Sequence, residues 1–107
     1  MASTFGNVIQ NALGTTPTTV LTTPTGSTTV IGFSLTNITS TLLTASIQLN
    51  NGSTAAYFIS NVVIPANQSL RVITGGEKLI LAANTSVIVT SSQASSLDIV
   101  ISYVVIT

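Results

Sequence analysis

Only four side chains in this sequence carry a charge: Arg71, Glu77, Lys78 and Asp98. Any acid–base or nucleophilic chemistry must be assembled from these and from hydroxyls and amides. Glu77 and Asp98 could in principle form the carboxylate pair of a glycosidase, one protonating the leaving oxygen while the other attacks or activates water. Lys78 is the single amine able to activate a Ser or Thr nucleophile. It follows a glycine pair, Gly75-Gly76, but the segment lacks the GxxxxGK[ST] spacing of a phosphate loop and no helical pattern follows it. His, the commonest general base, is absent. Cys is absent too, so the usual ligands of a transition-metal site are missing, and Ca²⁺ would need a richer set of carboxylates. The expectation is a protein without enzymatic activity, cofactor or metal.

Composition and period indicate the elements that would hold these groups. A chain of 107 residues makes one domain, able to bury a core without disulfides or metal. Hydrophobic residues are 45% of it and charged residues 4%, where about 25% charged is ordinary. Thr and Ser, about three residues in ten, supply the missing polarity. Disorder is not expected, because it combines low hydrophobicity with high charge. No apolar run reaches the ~18 residues of a membrane span, and Met1–Gly14 lacks the basic start and apolar stretch of a secretory signal. A net charge of zero offers no cationic surface to nucleic acid. It also gives little electrostatic protection against association. The expected partners are therefore proteins, beginning with further copies of this chain in a homo-oligomer.

Two regions divide the chain. In residues 1–16, Phe5, Val8, Ile9 and Leu13 recur at near-helical spacing, which gives either an N-terminal arm that packs on a neighbour or a frayed end with one helical turn. Residues 17–107 form the second region, where the period is two. Pro17 and Pro24 bracket a short edge strand. In STTVIGFSLTN, Ile31, Phe33 and Leu35 alternate with Gly32, Ser34 and Thr36; in LTASIQLN, Leu43, Ala45, Ile47 and Leu49 alternate with Thr44, Ser46 and Gln48. Such alternation marks strands with one buried face. Asn51-Gly52 supplies a tight hairpin turn, with TAAYFIS returning and NVVI a separate short strand ended by Pro65. The fold class expected is all-β, an antiparallel β-sandwich of about eight strands, jelly-roll or immunoglobulin-like in its connections.

Arg71 and Lys78 can now be placed. With Gly75-Gly76 at the centre of a hairpin turn, Val72 faces Leu79, Arg71 faces Ile80 and Leu70 faces Leu81. Leu70, Val72, Leu79 and Leu81 then share the core side. Arg71, Ile73, Lys78 and Ile80 share the outer side, with Glu77 at the tip. The cations are either gatekeepers against stray strand pairing or the charged rim of a contact surface. The last strand, LDIVISYVVI, is apolar on both parities: Leu97, Ile99, Ile101, Tyr103 and Val105 on one, Val100, Val104 and Ile106 among the other. It is either a central strand covered on both sides or one whose second face meets another subunit. Four Asn-x-Ser/Thr triplets, at Asn37, Asn51, Asn67 and Asn84, are of the number that chance gives in so hydroxyl-rich a chain, and turn formation accounts for several.

The run IPANQSLRVITGGEKLIL, followed by SVIVTSSQASSLDIVISYVVI, resembles the small β-sandwich virion proteins of tailed bacteriophages, cyanophages especially. The shared features are a Pro-Ala-Asn-x-Ser turn before a hairpin and a terminal Leu-Asp-Ile-x-x-Ser-Tyr strand; PTGSTTVIGFSLTN fits their opening strand. The likeness spans about Thr18 to Thr107. It departs at Ala82-Ala83-Asn84-Thr85, where such chains often carry Glu-x-Gly-Asp. It implies a non-enzymatic virion component, commonly a trimer, on the capsid exterior as a decoration or cement protein bound to the major capsid protein, or in the tail, neck or fibre. The surfaces assignable to those contacts are the arm (Phe5, Val8, Ile9, Leu13), the hairpin's outer side and the last strand's second face. A glycan-binding module is disfavoured, since only Phe5, Phe33, Phe58, Tyr57 and Tyr103 are aromatic.

With no His and few groups that titrate at all, the thermal midpoint should move by less than about 2 °C between pH 5 and 9. Calorimetry checks this, and a drift of more than about 5 °C would contradict it.

Overall fold

The computed structural model describes residues 3–73 and 79–106, and every regular element among them is a strand. In chain order these are β1 (Ser3–Leu13), β2 (Thr18–Thr22), β3 (Ser27–Asn37), β4 (Leu43–Asn50), β5 (Ala55–Ile64), β6 (Ser69–Ile73), β7 (Leu79–Leu81), β8 (Ser86–Ser91) and β9 (Leu97–Ile106). β1 pairs with β9, β2 with β8, β3 with β6 and β7, and β4 with β5, all antiparallel. The two halves of the chain thus pair as one long hairpin about the loop at residues 51–54. That hairpin is wrapped so that β3 also pairs with β9 and β4 with β8. Two sheets result, β1-β9-β3-β6 with β7 also on β3, and β2-β8-β4-β5. This is the jelly-roll order, one of the two connectivities compatible with the strand pattern.

The core lies between the sheets. Leu35, Ile47, Val87, Val89, Leu97, Ile99 and Ile101 are fully buried, with Val30, Phe33, Leu43 and Ile64 nearly so. On β4, β8 and β9 they come from one parity of the strand, because the pleat sends alternate side chains to opposite faces; on β3 the parity changes between Val30 and Phe33. Polar chemistry at the sandwich ends comes from hydroxyls and amides. Thr23 Oγ1 donates to the Ala82 carbonyl at 2.7 Å and accepts from the Thr85 N–H at 2.8 Å. The hydroxyls of Ser91 and Ser96 meet at 2.7 Å. Asn37, at the end of β3, is fully buried. Its Nδ2 donates to the carbonyls of Thr41 (2.9 Å), Ile64 (3.1 Å) and Pro65 (3.1 Å), and its Oδ1 accepts from the N–H (2.9 Å) and hydroxyl (2.7 Å) of Thr39.

Several expectations change. The segment carrying Phe5, Val8, Ile9 and Leu13 is neither helical nor a detached arm: Ser3–Leu13 is a strand of the first sheet. Its apolar residues mimic helical spacing because they lie on both faces of the strand, Phe5 and Ile9 outward and Val8 inward, and a bulge between Gln10 and Leu13 turns Leu13 inward as well. β6 and β7 do not pair with each other. Both lie along β3, Phe33 opposite Ile73 and Val30 opposite Leu79, so they are two pieces of one interrupted edge. The Gly75-Gly76 turn, Glu77 and Lys78 lie outside the described residues, but a hairpin between these strands is ruled out by their shared partner. The two runs TAAYFIS and NVVI form one strand, β5, continuous through a bulge at Asn61 (φ 51°). Ser46 Oγ holds that bulge by accepting the Asn61 N–H at 2.9 Å. The Asn51-Gly52 hairpin has a four-residue loop rather than a two-residue turn, closed by the N–H groups of Ser53 (3.1 Å) and Thr54 (2.8 Å) on Asn51 Oδ1.

Replacing Asn37 by Ala strips buried carbonyls of their donor and should cost about 3 kcal/mol of unfolding free energy. Denaturant titration reads this directly, and a loss below about 1 kcal/mol would show that water replaces the amide.

Candidate interaction surface

Two of the four charged side chains, Arg71 and Asp98, fall among the described residues. Asp98 is half-buried, and its Oδ1 accepts the N–H of Ala12 at 2.9 Å. Ala12 has φ 52° and sits in the β1 bulge. A bulge leaves its extra residue out of the ladder, and the Asp98 carboxylate supplies the acceptor that the neighbouring strand cannot. The geometry gives Asp98 a local structural task. Arg71 is exposed on β6.

The outward face of the first sheet gathers most of the proposed contact residues. Phe5, Asn7 and Ile9 of β1 stand opposite Val104, Ser102 and Val100 of β9. Those in turn oppose Thr29, Gly32 and Ser34 of β3. Thr29 faces Ile80, and Ser34 faces Arg71. Directly opposed residues share a face, so Phe5, Ile9, Val100, Val104, Ile80 and Arg71 lie on one side of one sheet. Phe5 is 75% exposed, Ile9 73% and Ile80 68%; Val100 and Ile106 are exposed to a lesser degree and Val104 is half-buried. β9 is central in its sheet, yet its second face has no cover among the described residues.

Three of the proposed contacts are placed elsewhere. Leu13 and Ile73 are buried in the core, and Val8 is partly buried against it. Val8 and Leu13 follow from reading a strand as a helix. Ile73 turns inward because a register shift between Phe33 and Ser34 makes β6 lose its simple alternation. Lys78 lies outside the described residues. One surface residue was missed: Ile31 belongs to the patch at 45% exposure, not to the core with Phe33 and Leu35. A bulge on β3, between Val30 and Gly32, turns it outward. Nothing in an apolar alternation marks where an extra residue enters, although Gly32 is the kind of residue that accompanies a bulge.

The second sheet is different. Its outward face carries Ser46 opposite Thr90, Gln48 opposite Ile88, and Asn50 opposite Ser86. Tyr57 and Val63 are exposed on its edge strand β5. Apolar exposure on the second sheet sits at its β5 edge (Tyr57, Phe58 and Val63), whereas on the first sheet it runs across several strands, from Phe5 and Ile9 to Val100 and Ile80. Clustered apolar surface of this kind, unlike scattered single residues, marks a place where something else packs.

The sequence matches no protein-family model and no curated protein. The fold has solved counterparts. A chain in the acidic stable capsid structure of Helicobacter pylori bacteriophage KHP30 superposes with a TM-score of 0.61 at 12% identity, over 99% of this chain and 89% of that one. A pentameric capsid protein isolated from metagenomic phage sequences superposes with a TM-score of 0.50 at 24% identity, over 90% of this chain and 59% of that one. This chain spans about three fifths of the length of the pentameric protein. At these identities the likeness is one of fold.

Substituting Asp98 by Ala should lower stability by about 1 kcal/mol, while Asn, which keeps an acceptor oxygen, should cost about half as much. Equal losses for both would mean that the bulge does not depend on this hydrogen bond.

Proposed function

We propose that this protein is a non-enzymatic structural component of a phage virion, a capsid decoration or cement protein that sits on the outer shell across capsomer seams. The observation that carries the reading is the outward face of the first sheet, where Phe5, Ile9, Ile31, Ile80, Val100 and Ile106 are exposed together. One fold counterpart is a chain in a phage capsid structure and another is a phage capsid protein, which supports a place in the particle. In this reading the apolar face packs on the major capsid protein, with Arg71 at its margin fixing orientation. Val104 fills the middle of the patch. Copies of the chain also contact one another, and the trimer implied by the resemblance is one closed form of that association. The protein acts by adding contact area. Internal DNA pressure strains the seams between capsomers, and a cover burying on the order of 1,000 Å² or more at each seam raises the barrier to their separation. A contact with almost no titratable groups holds across the range of pH and salt that a free particle meets.

Quantitative mass spectrometry of the particle should find hundreds of copies, and particles lacking the protein should open at lower temperature. The double substitution Ile9→Lys and Val100→Lys, on opposed residues of the exposed face, should weaken binding to bare shells by about tenfold or more while leaving the fold intact. A handful of copies at one vertex would move the protein to the neck or tail, and unchanged binding of the double variant would remove the face from the contact.

A further inference from the structure

Among the described residues the two sheets have four edges, and three carry the protections that keep edges from pairing. β5 is broken by two register shifts and the positive φ of Asn61. β2 is five residues long, shifted between Thr19 and Leu21, and flanked by Pro17 and Pro24. The β6–β7 edge has a register shift of its own on β6, opposite Phe33 and Ser34, and carries Arg71. The fourth edge, β1, has a single bulge, at Ala12 near its C-terminal end, and is regular before it. Its residues Ser3 to Gln10 face β9 in eight consecutive partners without a shift, and the strand contains neither a proline nor a charge. Its one weak residue for a strand, Gly6, is covered by the Tyr103 ring, whose atoms lie 2.7 Å from where a Cβ would stand. A long, uncharged, regular edge presents a row of free N–H and C=O groups and is a template for another strand.

We propose that the free edge of β1 pairs antiparallel with β1 of a second copy, about a twofold axis through Asn7. The side chains fit that occupant because the strand is self-complementary about this point. The regular run lies between Ser3 and the bulge at Ala12, with Asn7 at its centre. An antiparallel register centred there sets Phe5 of one copy against Ile9 of the other, twice, on the outward face. Aromatic against β-branched is a favourable cross-strand pair. The two Asn7 side chains meet on the axis, each carboxamide able to donate to and accept from the other. On the inward face Gly6 opposes Val8, and the Tyr103 ring that covers Gly6 gives the partner's Val8 an apolar neighbour. The contact is isologous and uses both free edges, so it closes at two copies and does not propagate. The first sheets of the pair become one continuous sheet, and their exposed apolar faces become one surface. This pairing is independent of where the protein resides, and purified protein suffices to test it.

The chain has no cysteine, so a single introduced thiol reports one contact without background. Residues opposed across an antiparallel pair have Cα atoms about 4.5–5.5 Å apart, within the span of a disulfide. Asn7→Cys should therefore oxidise to a covalent dimer, whereas Ser60→Cys on the bulged β5 edge should not. A mixture of Phe5→Cys and Ile9→Cys copies should cross-link to each other and neither to itself. Asn7→Lys, which brings two ammonium groups together on the axis at an exposed position, should shift the uncross-linked protein from dimer to monomer in sedimentation velocity with an unchanged circular dichroism spectrum. The proposal is overturned if Asn7→Cys cross-links no faster than Ser60→Cys, or if Asn7→Lys leaves a dimer intact. It is equally overturned if the wild-type chain is monomeric and the β1 amides gain exchange protection only on a different protein.

Discussion

The buried carboxamide of Asn37 is the interaction on which the arrangement of the two sheets most depends. β3 belongs to the first sheet, and Asn37 is its last residue. Ile64, whose carbonyl accepts from Asn37, is the last residue of β5 in the second. One uncharged side chain therefore ties the ends of strands from both sheets, and through Thr39 and Thr41 it also shapes the loop that carries the chain from one to the other. A charged group in the same place would bear a desolvation cost that only a partner could offset. An amide can be satisfied by backbone alone. The same logic recurs where Thr23 bridges to Ala82 and Thr85 and where Ser91 meets Ser96. Hydroxyls and amides close the sandwich ends so that charge is not needed there. For Asn37 this also means that the side-chain nitrogen of one Asn-x-Thr triplet is fully committed inside the protein.

With the sheets tied at their ends, the bulges decide what each face shows. A strand of unbroken period would send Ile31 inward with Phe33. The extra residue between Val30 and Gly32 sends it out. The β1 bulge does the opposite for Leu13, turning it into the core while Ile9 remains outside. It needs the Asp98 carboxylate to hold it, which accounts for one of the few charges in the chain. Single insertions thus move several apolar side chains between core and surface with no change in composition. The apolar outward face of the first sheet is the product of these shifts and of the parity of β9.

That face bears on the functional reading through energetics. Exposed Phe and Ile side chains lie in water at a cost of about 1.5–3 kcal/mol each relative to full burial. Scattered singly they would be unremarkable in a folded chain. Gathered across several strands of one sheet, they constitute a surface whose burial would drive association with little dependence on ionic strength. A structural subunit held permanently in an assembly has use for such a surface.

How much of this the sequence determined can be read strand by strand. Alternation in STTVIGFSLTN, LTASIQLN and SVIVTSS set the strands and most of the core, because burial on one face imposes a period of two that nothing else produces. The scarcity of charge and the absence of His and Cys set the chemistry, since a missing residue type cannot be supplied by folding. What the tertiary structure alone decided was pairing and parity. β1 looked helical because it carries apolar residues on both of its faces, and it became a strand because β9 offers it eight consecutive partners. β6 and β7 looked like two arms of a hairpin, yet both were captured by β3, whose length accommodates them end to end. Local patterns report which side of a strand is apolar; they do not carry the long-range contacts that choose its neighbour, and the exposed face depends on that choice.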